Sequence, residues 1–295
     1  MSTKKSAERP PPPPYHRADI AVGTRHGKQD QFAPAFRDIL RARLITPAEL
    51  DTDRFGTFTG ERPRPGDALE AARAKARLAM QATGLPLGLA SEASYGPLGG
   101  PLATGGWTGH EEILLFCDAE RGIEVLEGHR GALVPGLRRR IGEHDEVPDE
   151  LLAALPQQGL IVRPAGTGVD PDSIVKGITD AEALRAALAW AVALSPQRLA
   201  VVEPDLRAHH NPSRRQVLVR LAGTLARRLA TRCPACAAPG FGRVATEPGL
   251  PCRTCATPTP LPRCEIHACT VCAHRTDRPV PTEWADATAC PECNP

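Results

Sequence analysis

Eight of the ten cysteines form four Cys-x-x-Cys pairs in the last quarter of the chain: Cys233/Cys236, Cys252/Cys255, Cys269/Cys272 and Cys290/Cys293. Each pair offers two thiolates from one tight turn, and two pairs complete a tetrahedral Zn²⁺ shell. Four pairs therefore imply two zinc sites. Four thiolates leave no coordination position open to water, so the expected role of the metal is structural. This region has too few large apolar residues for a metal-free core, and metal binding should be coupled to folding. Ser-Ala-Glu-Arg and then five prolines, rather than an apolar run, follow Met-Ser-Thr-Lys-Lys, so an export signal is not expected and such cysteines favour metal over disulfides. The expected location is cytoplasmic.

Fifteen residues separate Cys236 from Cys252, and seventeen separate Cys272 from Cys290. Both separations suit a zinc ribbon. The expected pairing is sequential: Cys233, Cys236, Cys252 and Cys255 around one ion, and Cys269, Cys272, Cys290 and Cys293 around the other. A cross-braced arrangement, first pair with third and second with fourth, has the same composition. Cys264, His267 and His274 lie nearby, but four complete pairs need no further ligand. Ribbons engage protein or nucleic-acid partners. This one lacks a dense Lys/Arg stripe, and the formal net charge of the chain is only +2, which argues against a general nucleic-acid or acidic-membrane role. No apolar run reaches transmembrane length.

The rest of the chain divides into a proline-rich tail over 1–16, expected to be disordered, and an α/β domain over 17–230; the zinc-ribbon module occupies 231–295. In the middle part, apolar runs alternate with amphipathic stretches. Strands are expected at 19–23, 85–90, 113–117, 122–127, 161–164, 173–176 and 199–202, and helices at 31–43, 67–80 and 180–193. The expected fold is a layered α/β domain with a mixed sheet and flanking helices, followed by a small double-zinc module. The last helix before the cysteines begins at Asn211, a good N-cap, with Pro212 in the first helical position. Val217, Leu218, Leu221, Ala222, Leu225 and Leu229 make its apolar stripe. Arg214 lies on that same stripe. A charge turned inward there either holds an anion or forms a buried ion pair with Asp205 or Glu203.

Polar residues gather where strands are expected to end: Thr24, His26 and Lys28; then Ser91, Glu92 and Ser94; then Asp205, Arg207, His209 and Asn211. In open α/β sheets, ligands bind outside the carboxyl ends of strands. A lysine in the turn before a helix suits phosphate. Glu61 and Glu92 are the carboxylates available for Mg²⁺, which favours one or two carboxylates plus phosphate oxygens.

Two resemblances rest on these segments. The segments T-R-H-G-K (24–28), D-T-D-R-F-G-T-F-T-G-E (51–61), A-S-E-A-S-Y-G-P (90–97), I-V-K-G-I (174–178) and D-L-R-A-H-H-N-P-S-R (205–214), with the first cysteine knuckle, resemble a bacterial family known as a domain of unknown function. The order of motifs is more distantly similar to inosine-triphosphatase-type nucleoside triphosphate pyrophosphatases. Thr24 and Lys28 resemble that family's T-x-N-x-x-K turn, with His26 in the Asn place and the Lys one residue closer. Glu61 resembles its loop glutamate. Ala71-Ala72-Arg73-Ala74-Lys75-Ala76 resembles its N-A-x-x-K-A helix, with Ala71 for Asn. Ser91-Glu92-Ala93-Ser94 stands in place of its D-D-S-G turn with one carboxylate rather than two. Ser213-Arg214-Arg215 resembles its Ser-His-Arg, with Arg214 for His. The resemblance implies a Mg²⁺-dependent hydrolase of a nucleotide or phosphate ester, with Lys28, Glu61 and Glu92 catalytic. The alternative expectation is a non-catalytic adaptor that senses an anion or nucleotide and engages a partner through its ribbons.

Overall fold

A computed structural model of the chain describes residues 11–25, 27–52, 55, 66–97, 108–132, 138–166 and 172–295. Three sheets follow one another. The first has order β2-β1-β3-β4-β5 and is built from β1 (Asp19–Val22), β2 (Arg43–Ile45), β3 (Leu87–Pro97), β4 (Thr108–Asp118) and β5 (Ile123–Ala132). Its β1 pairs in parallel with β2 and β3, and β3, β4 and β5 pair antiparallel. Helices α1 (Gln29–Leu40) and α5 (Pro212–Ala230) cover one face, and α2 (Ala68–Thr83) covers the other. Phe32, Phe36 and Leu40 of α1 meet Leu114 and Phe116 of β4 and Leu218 and Leu225 of α5 in the main core. On the α2 side the helix contributes alanines, and Gly88 leaves room for Met80, whose sulfur would stand 2.6 Å from a Cβ there.

The second sheet, order β6-β9-β7-β8, is antiparallel throughout and comprises β6 (Arg139–Gly142), β7 (Leu160–Pro164), β8 (Val175–Ile178) and β9 (Leu199–Pro204). The short α3 (Asp149–Ala154) and α4 (Ala181–Leu194) supply Leu151, Leu184, Leu188 and Ala191 to its core. The third sheet, order β10-β11-β12, carries the cysteines and comprises β10 (Gly242–Pro248), β11 (Pro262–Ala268) and β12 (Arg275–Pro279). This is the expected mixed α/β architecture followed by a ribbon-like module.

The details differ in instructive places. The segment Ser91–Pro97, expected as a turn, continues β3, because β4 supplies a partner for every residue from Leu87 to Pro97. Helix α1 stops earlier than expected, with Arg41 in a left-handed conformation (φ 56°) as its C-cap. Tyr15, within the proline-rich segment, donates a 2.8 Å hydrogen bond to Asp118 and packs edge-on against Phe116. Asn211 caps α5 as expected by accepting from the Arg214 amide at 3.0 Å. Among the described residues, no helix is long and apolar enough to cross a membrane.

Paired cysteine centres and a candidate anion pocket

The eight cysteines meet in two groups of four: Cys233, Cys236, Cys269 and Cys272, and Cys252, Cys255, Cys290 and Cys293. The expected sequential pairing is thus overturned in favour of the cross-brace. The register of the third sheet gives the reason. Gly242 faces Ala268, so the knuckle before β10 and the knuckle after β11 share one end of the hairpin. Pro248 faces Pro262 at the other end, where the second knuckle lies and toward which β12 returns. Six strand steps, about 20 Å, keep the first and second knuckles apart.

Local geometry prepares each group. The amides of Ala237 and Ala256 donate to the carbonyls of Cys233 and Cys252, both at 2.9 Å, and both alanines adopt positive φ. Thiolates bonded at about 2.3 Å around a tetrahedral ion stand about 3.8 Å apart. The sulfur separations fit: Cys233–Cys272 is 3.8 Å, Cys236–Cys269 3.6 Å, Cys252–Cys293 3.9 Å and Cys255–Cys290 3.5 Å. Each group can therefore hold one metal ion. Cys264 stands outside both, with its sulfur 3.4 Å from Glu247, while His267 contacts Glu265 and His274 contacts Thr276.

A second constellation lies where the first sheet outgrows β1. Along the face toward α5, side chains change from Leu89 and Phe116 to Ser91, Glu112, Tyr95 and His110. Lys28, at the start of α1, donates to the Ser91 hydroxyl at 3.1 Å. Arg214 reaches down from the first turn of α5 and grips Glu112 with two bonds, Nε to Oε2 at 2.7 Å and Nη2 to Oε1 at 2.9 Å. Both side chains are almost wholly buried, and Arg214 also donates to the Leu206 carbonyl. On the opposite face, Glu92 is paired with Lys75 of α2. A Cβ at Gly23 would lie 2.3 Å from the Lys75 carbonyl, so glycine lets β1 approach α2 this closely.

Among the described residues, Lys75 and Arg214 are each paired with a carboxylate, Glu92 and Glu112, whereas the Lys28 contact is to the Ser91 hydroxyl. Burial pulls the Lys28 pKa down to about 8; Arg214 adds to that, and Glu112 and Glu92 oppose it. The lysine still carries its charge at pH 7, and as the N-cap of α1 its own side chain makes no capping hydrogen bond. Such an arrangement favours an anion.

The sequence-predicted residues divide clearly. Lys28 and Ser91 meet; Glu92 and Arg214 lie in the same charge cluster, where both bear on the Lys28 ammonium. Thr24 is buried just beyond β1, and Ser94 faces the α2 side with Glu92. Glu61 and His26 lie outside the described residues. The Asp205 group lies apart from these contacts, at the second sheet and the start of α5. Asp205 accepts from the Arg207 backbone and guanidinium and from the Gly177 amide at 3.1 Å. His210 packs over Gly177, whose φ is 71° and where a Cβ would stand 2.9 Å from the ring. His209 offers its carbonyl to Arg215. The partner of Arg214 is neither Asp205 nor Glu203 but Glu112, which sequence reasoning missed. Its signal was present: His110, Glu112, Leu114 and Phe116 alternate on one face, with a charge at a core position.

The chain belongs to a family described as a domain of unknown function, DUF6671, which matches residues 75–295. The matched span contains Lys75, Glu92, Glu112, Arg214 and all eight paired cysteines, whereas the Thr24–Lys28 turn precedes it. No curated protein matches the chain.

Proposed function

We propose that the polar end of the first sheet binds a phosphorylated small molecule, and that each cysteine group holds a structural Zn²⁺. The observation that carries the anion reading is the half-buried Lys28, which contacts the neutral Ser91 hydroxyl, whereas among the described residues Lys75 and Arg214 are paired with Glu92 and Glu112. The likeness of Thr24–Lys28 and Ser213–Arg215 to the pyrophosphatase motifs supports the same ligand class.

Hydrolysis of a nucleotide or phosphate ester is the second reading, favoured by the buried Glu92, whose charge bears on the Lys28 ammonium from the other face of the sheet. Of the carboxylates near Lys28, Glu92 is paired with Lys75 and Glu112 with Arg214, and Glu61 lies outside the described residues. In the cysteine module, Arg243, Arg263 and Arg275 pair with Glu265, Glu247 and Asp277, which favours a protein partner over nucleic acid.

Calorimetric titration of the zinc-loaded protein with tripolyphosphate tests the pocket. Binding is expected in the wild type and a loss of tenfold or more in Lys28→Ala. Unchanged affinity in that variant removes Lys28 from the reading. Pyrophosphate release from a nucleoside triphosphate panel, with and without Mg²⁺, then separates hydrolase from sensor.

A further inference from the structure

Beyond the Lys28–Ser91 contact, the same sheet face carries three rings that the anion reading leaves unused. Tyr95 on β3 stands directly opposite His110 on β4, and the rings are near-parallel, with centroids 6.1 Å apart and planes 25° apart. His129 on β5 stands opposite Glu112, and its ring centroid is 5.7 Å from that of His110. Gly131, opposite His110, makes this possible, because a Cβ there would lie 3.0 Å from the His110 ring and 3.3 Å from that of His129. All three rings are half-buried rather than sealed in the core. The Arg214 guanidinium lies over the Tyr95 ring, its carbon 6.0 Å from the centroid, and its charge also acts on the Lys28 ammonium, which links the rings to the anion end.

Position and chemistry agree. Ser91 and Tyr95 are four residues apart on one strand and point to the same side, about 13 Å from each other. That is the span of a ring joined through a sugar or similar spacer to a phosphate chain. Burial, reinforced by His129, holds the His110 pKa below the ordinary histidine range, so its imidazole is neutral at pH 7 and presents an uncharged π surface. Tyr95 stays protonated, its pKa pushed up to about 12 mainly by burial. Rings of this kind stack on any flat heteroaromatic group with little regard to its substituents.

We propose that Tyr95, His110 and His129 form a shelf for the flat heteroaromatic ring of the ligand whose phosphate meets Lys28, so that the pocket takes nucleotides rather than phosphate esters in general. This rests on the anion reading, and the two can be tested apart. Zinc-loaded protein is titrated with tripolyphosphate and with ATP, GTP, ITP, CTP and UTP at one pH. At least one nucleotide is expected to bind fivefold or more tighter than tripolyphosphate, in line with the worth of stacking one base, about 1–3 kcal/mol. Tyr95→Leu and His110→Leu should reduce that nucleotide to the level of tripolyphosphate and leave tripolyphosphate unchanged, while Tyr95→Phe keeps the preference. Melting temperature and zinc content check that each variant is folded. If tripolyphosphate binds and no nucleotide exceeds it, the shelf is overturned and the anion pocket survives. If the preference persists in both leucine variants, the shelf is likewise overturned. Failure of every probe overturns both readings.

Discussion

The first sheet and the cysteine module both stack strands, yet they close their interiors by different means. The first sheet buries Phe32, Phe36, Leu40, Leu89, Leu114, Phe116, Leu218 and Leu225 in one cluster between two helices and the strands. The module buries Phe241, Leu250, Ala285 and three of its own cysteines, and it leaves Val244, Val271 and Trp284 exposed. Apolar area stabilises the first by roughly 25 cal/mol per Å² removed from water. The second has little such area, and its eight converging thiolates stand in for a core. On the proposed reading, the metal ions held by the two groups supply what such a core lacks, and the fold of the module should depend on them.

The largest effect that would sharpen this contrast is removal of the metal. Chelation at neutral pH is expected to abolish amide protection across β10, β11 and β12 while β3, β4 and β5 keep theirs, as hydrogen exchange would show. Loss of protection in both sheets together would mean that they fold as one unit, and the contrast would fail. A smaller perturbation tests the cross-brace. Replacing Cys233 and Cys269 by serine removes two ligands from one group and should leave one bound Zn²⁺ per chain. Sequential pairing would place those residues in different sites, so both would be damaged and metal content would fall toward zero.

How much of this was legible in the sequence differed between the same two regions. Cys-x-x-Cys spacing is local, so all eight ligands could be read directly. Their partnership depends on which strand ends coincide, and that is a property of the β10–β11 register that no spacing contains. In the first sheet, helix α5 was readable from Asn211, Pro212 and its apolar stripe, since caps and periodicity are local signals. The inward direction of Arg214 was readable for the same reason. Its partner was not, because Glu112 is about a hundred residues away and lies in a strand whose polar half resembles a loop. Ser91, Glu92 and Ser94 misled for a related reason: small polar residues read as a turn until an eleven-residue neighbour, β4, is known to pair with them.

Within the first sheet, the apolar end and the polar end differ in what a single substitution should cost. Glu112→Gln leaves the Arg214 guanidinium buried without a counter-charge, and breaking such a pair costs about 3–5 kcal/mol. Urea unfolding should show that loss in the midpoint. The double variant Glu112→Leu with Arg214→Met removes both charges and should recover most of it, because well-packed apolar substitutes often match a buried ion pair. If the double variant is no better than the single one, the pair contributes more than mutual neutralisation. By comparison, removal of the exposed Arg43–Asp19 pair, with the Arg43 side chain 73% exposed, should leave the urea midpoint nearly unchanged, because solvent screens the pair.

The smallest effect concerns Lys28, and pH reveals its sign. The folded-state pKa is about 8, below the ordinary lysine value of 10.5, because burial and Arg214 disfavour the charge. Below about pH 8 both folded and unfolded states are protonated, and the folded state bears the full penalty. Between about 8 and 10.5 the unfolded chain binds the extra proton, so the Lys28 contribution to stability rises with pH. Anion binding should run the opposite way. A bound anion needs the ammonium, so sulfate, whose charge does not change over this range, should lose affinity by up to about tenfold per pH unit above pH 8. Lys28→Met should flatten both profiles at once, since it removes the titrating group while filling similar space. A sulfate profile in the wild type that stays level from pH 7 to 10 would assign the anion to Arg214 or Lys75 instead, and Lys28 would lose its place at the centre of the pocket.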